Sequence, residues 1–258
     1  MIIPNQSILE SSFLRYPPQI GCAGWDISRE TTQFFPAGAS HLERYAQTFN
    51  ACEINSSFYR PHKFETWKRW GESVPASFRF SVKAPRTITH QSELNCGETL
   101  LTPFFRQIRF LKDKLGPVLF QLPPKLQFAF PSVKRFLSSL RQIYAGDVVW
   151  EPRHPSWFTG EVDATLKEFD VARVAADPAR VPSAGEPGGR PSLVYFRLHG
   201  SPRIYYSRYC DDYLSALAAQ IASLASDVEV WCIFDNTASG FAVPNALAVR
   251  DRLNGSGP

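Results

Sequence analysis

Polar residues with the chemistry of proton transfer and anion binding stand near the ends of apolar runs along this chain. They are Glu53, Asn55, Lys83, Gln121, Glu151, Arg153, Arg197, His199 and the pair Asp235 and Asn236. Carboxylates and an imidazole can exchange protons with a bound molecule. Guanidinium and ammonium groups hold phosphate or carboxylate oxygens. A charge buried alone is costly, so such a set must pair internally or meet a ligand. Glu53, Glu151 and His199 are therefore the candidate acid–base groups. Lys83, Arg153 and Arg197 are the candidate anion holders, with Asn55, Gln121 and either Asp235 or Asn236 orienting hydroxyls. Structural readings stand beside these roles. Glu53 can serve as a partner of Arg153 or Arg197, Arg153 can fix the turn before His154-Pro155, and Gln121 can cap a strand end. Lys83 can be an ion-pair member or a Schiff-base nucleophile.

The runs that carry these residues number eight: Ile20 to Trp25, Ala51 to Phe58, Phe78 to Arg86, Pro117 to Pro124, Asp147 to His154, Asp170 to Pro178, Leu193 to Gly200 and Glu229 to Asn236. Helical spacing recurs between most of them. Ser40 caps a segment reaching Phe49, and a second helix fits Glu65 to Trp70. Leu101 to Leu115 is the clearest, stopped by Gly116-Pro117. Pro131-Ser132 starts a fourth, Thr165 to Phe169 is a short fifth, and Leu214 to Leu224 and Asn245 to Leu253 follow. After the sixth run the chain is rich in Pro and Gly from Pro178 to Pro191, which predicts an exposed loop. Eight strands alternating with helices predict an α/β fold, a (β/α)8 TIM-type barrel, with the strands' carboxyl ends converging on one site. Two doubly wound domains would need a linker at the midpoint or a glycine-rich dinucleotide fingerprint, and the chain has neither. The expected organisation is an N-terminal extension over residues 1–19 and a single barrel domain over 20–258.

Strand side chains alternate faces, and the outer face of a barrel packs on helices. The apolar set Cys52 and Ile54 should point outward, which turns Glu53 and Asn55 inward. The same parity groups Ser81 with Lys83, Leu119 with Gln121, Val149 with Glu151 and Arg153, and Tyr195 with Arg197 and His199. Cations slightly outnumber carboxylates in this inward set, so a small anionic ligand, such as a sugar phosphate, is the expected partner. Trp25, Phe58, Tyr59 and Trp157 follow strand ends and are candidates for an aromatic wall, and His154 is a loop candidate. Arg203, Tyr205, Tyr206, Arg208 and Tyr209 interleave cations with aromatics. That composition suits stacking on a base or sugar, or a lid over the mouth. Tyr206 is counted among the candidate ligand contacts, and nucleic acid is the second candidate partner.

A chain of 258 residues, 44% hydrophobic and 20% charged, has an ordinary globular composition, and its net charge of +4 permits an anionic ligand without requiring nucleic acid. It shows no secretory signal and no apolar stretch long enough for a bilayer, so a cytoplasmic protein without membrane partners is expected. The five cysteines form no CxxC pair and read as reduced, buried thiols. A divalent metal is the weaker expectation: Glu53, Glu151, His199 and Asp235 offer ligands, but no HxxxH or DxH spacing accompanies them. No cofactor is identified by the sequence, which also does not set an oligomeric state.

The stretches GCAGW (21–25), FFP (34–36), EINSSFY (53–59), SVKAPRTITH (81–90), KLGPVLFQLPP (114–124), EPRHPSW (151–157), YFRLHG (195–200) and FDN (234–236) resemble the YecE-like family, a domain of unknown function. The resemblance covers about residues 20 to 250. It implies a TIM-type barrel of the kind seen in xylose isomerase and endonuclease IV, and through the latter a link to DNA binding or repair. The rich His and carboxylate array of a three-zinc site is missing here, and Cys22-Ala23 stands where the family often has Thr-Ser. The expectation is an enzyme, a hydrolase or an isomerase, acting on a phosphorylated or otherwise anionic, sugar-like ligand at the barrel mouth. The alternatives are a nucleic-acid binding or repair protein and a non-catalytic anion-binding protein.

Overall fold

The computed structural model describes residues 17–255. Residues 1–16 of the expected N-terminal extension lie outside the described residues, and Pro17-Pro18 lead directly into the first strand. The strands are β1 (Gln19–Ala23), β2 (Ala51–Ile54), β3 (Arg79–Lys83), β4 (Leu115–Gln121), β5 (Val148–Glu151), β6 (Val171–Arg173), β7 (Ala175–Asp177), β8 (Gly188–Gly189), β9 (Leu193–Leu198) and β10 (Glu229–Phe234). They form one sheet in the order β7-β9-β10-β1-β2-β3-β4-β5-β6-β8, parallel except for β8. β6 and β7 belong to the single predicted sixth run and flank Val174. The first half pairs with β5 and the second with β9, so this run joins the two ends of the ring. The predicted eight-strand barrel is thereby formed.

The helices are α1 (His41–Ala46), α2 (Phe64–Glu72), α3 (Gly97–Ile108), α4 (Phe130–Ile143), α5 (Gly160–Glu168), α6 (Asp211–Leu224) and α7 (Ala242–Leu253). Ser40 caps α1 as its position suggests, its Oγ accepting from the Glu43 amide at 3.2 Å. Several boundaries differ from the periodicity: α1 stops at Ala46 short of Phe49, and α7 begins at Ala242 rather than Asn245. α3 ends at Ile108, and Arg109–Lys114 tightens into 3-10 geometry with Lys112 at φ 53°, so Leu115 and Gly116 are already strand. α5 begins five residues earlier than its apolar pattern, at Gly160, because Thr159 caps it through the Val162 amide and Glu161 and Asp163 favour its first turn.

The predicted loop after the sixth run has no α-helix but is well tied down. Arg173, 3% exposed, makes a bidentate ion pair with Asp163 at 2.8 and 3.1 Å. The same guanidinium donates to the carbonyls of Ser183 and Glu186 at 2.7 and 3.1 Å. No helix of the described residues is long and apolar enough to cross a membrane. All five thiols are free; Cys22, Cys52 and Cys232 are buried as expected, whereas Cys96 is half-buried and Cys210 exposed at the α6 N-terminus.

Parity separates the core into two layers. Ala51, Leu119, Val149, Ala172, Tyr195, Trp231 and Ile233 pack inside the barrel. Cys52, Ile54, Phe80, Val118, Phe120, Trp150 and Phe196 face the helices. The inner layer fills the lower barrel with apolar volume, with Trp231 stacked on Tyr195 at 6.0 Å, and leaves the polar residues to the upper rim. Between β1 and β2 the Tyr45 hydroxyl from α1 enters the ladder, accepting from the Cys22 amide at 2.7 Å and donating to the Ala51 carbonyl at 3.1 Å. The strands can approach there only because Gly21 lacks a side chain: a Cβ would lie 1.9 Å from the Ala51 oxygen. Gly21→Ala should cost about 3 kcal/mol or more in urea unfolding. Gly160→Ala, where a Cβ meets nothing within 4 Å, should be neutral or stabilise by up to about 1 kcal/mol. Equal effects at the two positions would contradict the packing described.

Candidate active site at the barrel mouth

Most polar side chains of the rim come from the carboxyl ends of strands. Glu53 lies on β2, Lys83 closes β3, Gln121 closes β4, Glu151 closes β5, Arg197 lies on β9 and Asp235 directly follows β10. The ambiguous pair resolves by contact. Asp235 continues the inward face of Trp231 and Ile233 and meets His199 and Arg197. Asn236 turns away, donating to the Ser207 carbonyl and to Asn245 Oδ1, both at 2.9 Å, and ties loop to helix.

Arg197, wholly buried, is the hub. Its Nε donates to Glu53 Oε2 at 3.0 Å, and Nη2 donates to Glu53 Oε1 at 2.7 Å and forms an ion pair with Asp235 Oδ2 at 3.0 Å. Nη1 donates to Glu151 Oε2 at 3.1 Å and faces His199 Nε2 at 3.4 Å. Four strands are thus joined through one guanidinium, whose donors are all directed inside the protein. Glu53 also accepts from the Tyr195 hydroxyl at 3.0 Å, and that hydroxyl lies 3.0 Å from Ser81 Oγ. Both residues chosen for ligand chemistry, Arg197 as anion holder and Glu53 as acid or base, are therefore placed as internal counter-ions.

Glu151 collects the other half of the network. Oε1 accepts from Arg153 Nε at 3.1 Å and Nη2 at 2.8 Å and lies 3.0 Å from His199 Nε2. Oε2 accepts from Gln121 Nε2 at 3.0 Å. Burial alone would raise the Glu151 carboxyl, but the charges of Arg153, Arg197 and His199 hold it well below the ordinary carboxylate range. Asp235 is likewise kept low: burial opposes ionisation, and Arg197 together with the His199 hydrogen bond overcomes it. His199 has Asp235 Oδ2 3.0 Å from Nδ1. Its Nε2 stands between the Glu151 acceptor and guanidinium donors of Arg153 at 3.1 Å and Arg197 at 3.4 Å. A proton on Nε2 satisfies Glu151, and its absence leaves an acceptor for an arginine.

Lys83 is the exception to the pairing. Its side chain is buried, with Nζ 4.3 Å from the Phe58 ring centroid, and among the described residues it makes no ion pair or hydrogen bond through Nζ. Burial, then the charge of Arg197, pushes its ammonium down from 10.5 to about 8, against the pull of Glu53, Glu151 and Asp235. Asn55 directly follows β2 and opens the 3-10 turn at 56–58. Asn55 Oδ1 is buried without a partner among the described residues. Arg153 is half-buried, and among the described residues no bond engages its Nη1. His90 stands edge-on to Phe58 at 5.0 Å, and Tyr205 edge-on to His199 at 5.9 Å. A recess of about 20 Å³ beside Arg153, His199, Pro178 and Ile204 has room for one water-sized molecule. An apolar hollow of about 220 Å³ shares Phe58 with the rim and is walled by Tyr59, Trp67, Ile88 and Phe104.

Four other candidates lie outside the cluster. His154 caps the turn at 155–157, accepting from the Ser156 amide at 3.2 Å. Trp157 is fully buried, donates to the Leu126 carbonyl at 2.8 Å, and packs on Phe128 and Trp150. Trp25 packs edge-on against Trp70 and Phe80, between strand and helix. Tyr206 is exposed beneath the Arg203 guanidinium, 4.1 Å away. Tyr209, read in the sequence as part of the same stacking loop, is instead buried and donates to Asp177 Oδ1 at 2.7 Å. One partner escaped sequence reading, the Tyr195 hydroxyl, signalled only by its parity with Arg197; Tyr205, read as part of a stacking or lid loop, stands over His199. The four suggested metal ligands do not fit a metal, because the carboxylates face Arg197 rather than one another. Among the described residues no group of three or more His, Cys, Asp or Glu is arranged to hold an ion.

Comparison with known proteins gives a consistent assignment. A family model described as "protein of unknown function DUF72" matches residues 19–257. The UPF0759 protein YecE of Escherichia coli K12 is 35% identical over 153 residues, covering 57% of this chain and 56% of that protein. YunF of Bacillus subtilis is 28% identical over 155 residues, covering 54% and 52%. The chain spans about half the length of these curated relatives in the matched regions. A DUF72 protein of Enterococcus faecalis V583 superposes with a TM-score of 0.79 at 22% identity, covering 92% of this chain and 96% of that one. A DUF72 protein of Thermotoga maritima gives 0.76 at 24%, covering 92% and 98%. At these identities the structural likeness speaks for the fold alone.

Removing the hub should strand Glu53 and leave Asp235 with His199 alone, while Glu151 keeps Arg153. Arg197→Met should lower stability by about 3–5 kcal/mol at pH 7. The sign with pH is distinctive. In the native protein Glu151 and Asp235 lie below their ordinary values of 4.5 and 3.8, so their stabilisation is full above those values and is lost as pH falls through the folded ones. In the variant Asp235 loses that guanidinium and burial raises it, so its protonation relieves the folded state, while Glu151 keeps the charge of Arg153. The deficit, read from urea unfolding, should shrink between pH 7 and pH 5. A deficit constant across that window would contradict the hub.

Proposed function

Since the chain belongs to the DUF72 family, whose description assigns no reaction, we propose from the site itself that the barrel mouth binds a small anionic, sugar-like ligand and transfers a proton to or from it. One observation carries this reading: Arg197 is saturated by carboxylates, while Lys83 Nζ and Arg153 Nη1 remain without partners among the described residues. These two groups supply the anion contact. Asn55, with an unpartnered amide oxygen, receives a hydroxyl donor of the ligand. His199, oriented by Asp235, is the proton carrier. The ionised Glu151 steadies its charged form without itself exchanging protons. No metal or organic cofactor enters this scheme, and the free thiols support a reducing, cytoplasmic setting.

The test is a thermal-shift series with inorganic phosphate, sugar phosphates, small carboxylates and nucleotides. A true ligand at 100 times its dissociation constant stabilises by about 2.7 kcal/mol. Lys83→Met and Arg153→Ala should each weaken binding at least tenfold. Absence of any shift from these classes, or variants that bind as the native protein does, would contradict the reading. Binding without turnover of any ligand found would leave an anion-binding protein and remove the proton-transfer step.

One feature favours a second reading, nucleic-acid binding: the exposed Arg203–Tyr206 pair beside Tyr205 at the mouth. A base stacked on Tyr206 would have its phosphate near Arg203. Binding of abasic, single-stranded or duplex DNA would then fall steeply with salt and weaken in Tyr206→Ala and Arg203→Ala. No binding, or binding indifferent to salt, dismisses it.

A further inference from the structure

Lysine nucleophiles need an amine that is partly neutral, a site that keeps it apart from carboxylate partners, and nearby groups to move protons. Lys83 meets these conditions by position. Its Nζ rests on the face of Phe58 at 4.3 Å, and no carboxylate comes within ion-pair distance among the described residues. The charged groups around it are Glu53 from β2, Glu151 from β5, Arg197 from β9 and Asp235 after β10, with His90 and Arg153 at the rim. The three carboxylates are engaged by Arg197, which leaves none of them dedicated to the ammonium. The opposite arrangement, a carboxylate against Nζ, would hold the ammonium charged and unreactive.

We infer that Lys83 is a catalytic nucleophile that forms an imine with an aldehyde or ketone carrying a carboxylate or phosphate group. This deepens the proposed function and rests on the same mouth. The Arg153 Nη1 donor holds the anionic group, and Lys83 is released from that duty once its ammonium has given up a proton. With the amine lowered to about 8, roughly one molecule in ten is neutral at pH 7, against about one in three thousand for an ordinary lysine. The Nζ lone pair attacks the carbonyl carbon, and the C=O π pair moves to oxygen. That oxygen takes a proton while nitrogen loses one, giving a carbinolamine. His199 then delivers a proton to the hydroxyl, which leaves as water as the nitrogen pair closes the C=N bond. The amide oxygen of Asn55, just past the end of β2 and unpartnered among the described residues, accepts from the carbinolamine hydroxyl. The protonated imine withdraws electrons from the adjacent carbon, which suits isomerisation or carbon–carbon cleavage of an open-chain sugar acid or sugar phosphate.

Reductive trapping tests this directly. The native protein is incubated with pyruvate or with glyceraldehyde 3-phosphate and cyanoborohydride, and adducts are read by intact-mass and peptide mass spectrometry. One adduct on Lys83 is expected, forming at least tenfold faster than on any other lysine. Its rate should rise with pH and level off above about 8, whereas surface lysines continue to rise toward about 10.4. Lys83→Arg keeps the charge and should lose the adduct while still giving a thermal shift with inorganic phosphate. Lys83→Met, checked for native unfolding, serves if the arginine disturbs folding. Labelling spread over surface lysines, or unchanged in a folded Lys83 variant, overturns the imine. If Lys83 is not trapped but phosphate still binds through it, the anion-site reading stands alone. If trapping succeeds without any phosphate shift, the nucleophile stands and the anion grip fails.

Discussion

The mouth of this barrel depends on one buried guanidinium. Arg197 neutralises Glu53, Glu151 and Asp235, which arrive from strands on both sides of β9, and among the described residues no other cation forms ion pairs with all three. Desolvating four charges is expensive, and it is tolerated only because the donors and acceptors are matched at 2.7 to 3.1 Å. The consequence extends to function. By occupying the carboxylates, Arg197 leaves Lys83 without a counter-ion, and by its own charge it pushes that ammonium further down. The hub and the unpaired lysine are two faces of one arrangement.

Much of this was legible because strands have a strict period of two. Once helices are known to cover the outside, an apolar Cys52 and Ile54 send Glu53 inward, and Tyr195, Arg197 and His199 follow the same logic. What parity leaves open is the residue just past a strand. Asp235 and Asn236 both follow Phe234, and only the position of His199 decides between them. Nor does parity say which charges neutralise which. Counting cations against carboxylates suggested a surplus shared by three residues, whereas the geometry spends Arg197 entirely within the protein.

The aromatic residues show the limit of reasoning from strand ends alone. Trp25 and Trp157 follow β1 and β5 as a pocket wall would, yet their large apolar area is better buried between strand and helix, and the Trp157 indole finds the Leu126 carbonyl there. Tyr205 reaches the site through a backbone turn at φ 71° that no periodicity announces. The sixth strand is similar. Its sequence reads as one run, and its division around Val174 appears only because its two halves serve different neighbours. Helix boundaries moved where caps outweighed apolar spacing, as Thr159 does for α5.

The central claim is that the rim carries one buried lysine set apart from its carboxylates by a saturated arginine. It can be read without any ligand, by following the NMR titration of the Lys83 ε-carbon in selectively labelled protein. The account predicts a midpoint near about 8. A midpoint at the ordinary lysine value near 10.5 or above would show Lys83 to be paired or fully solvated, and would contradict the account.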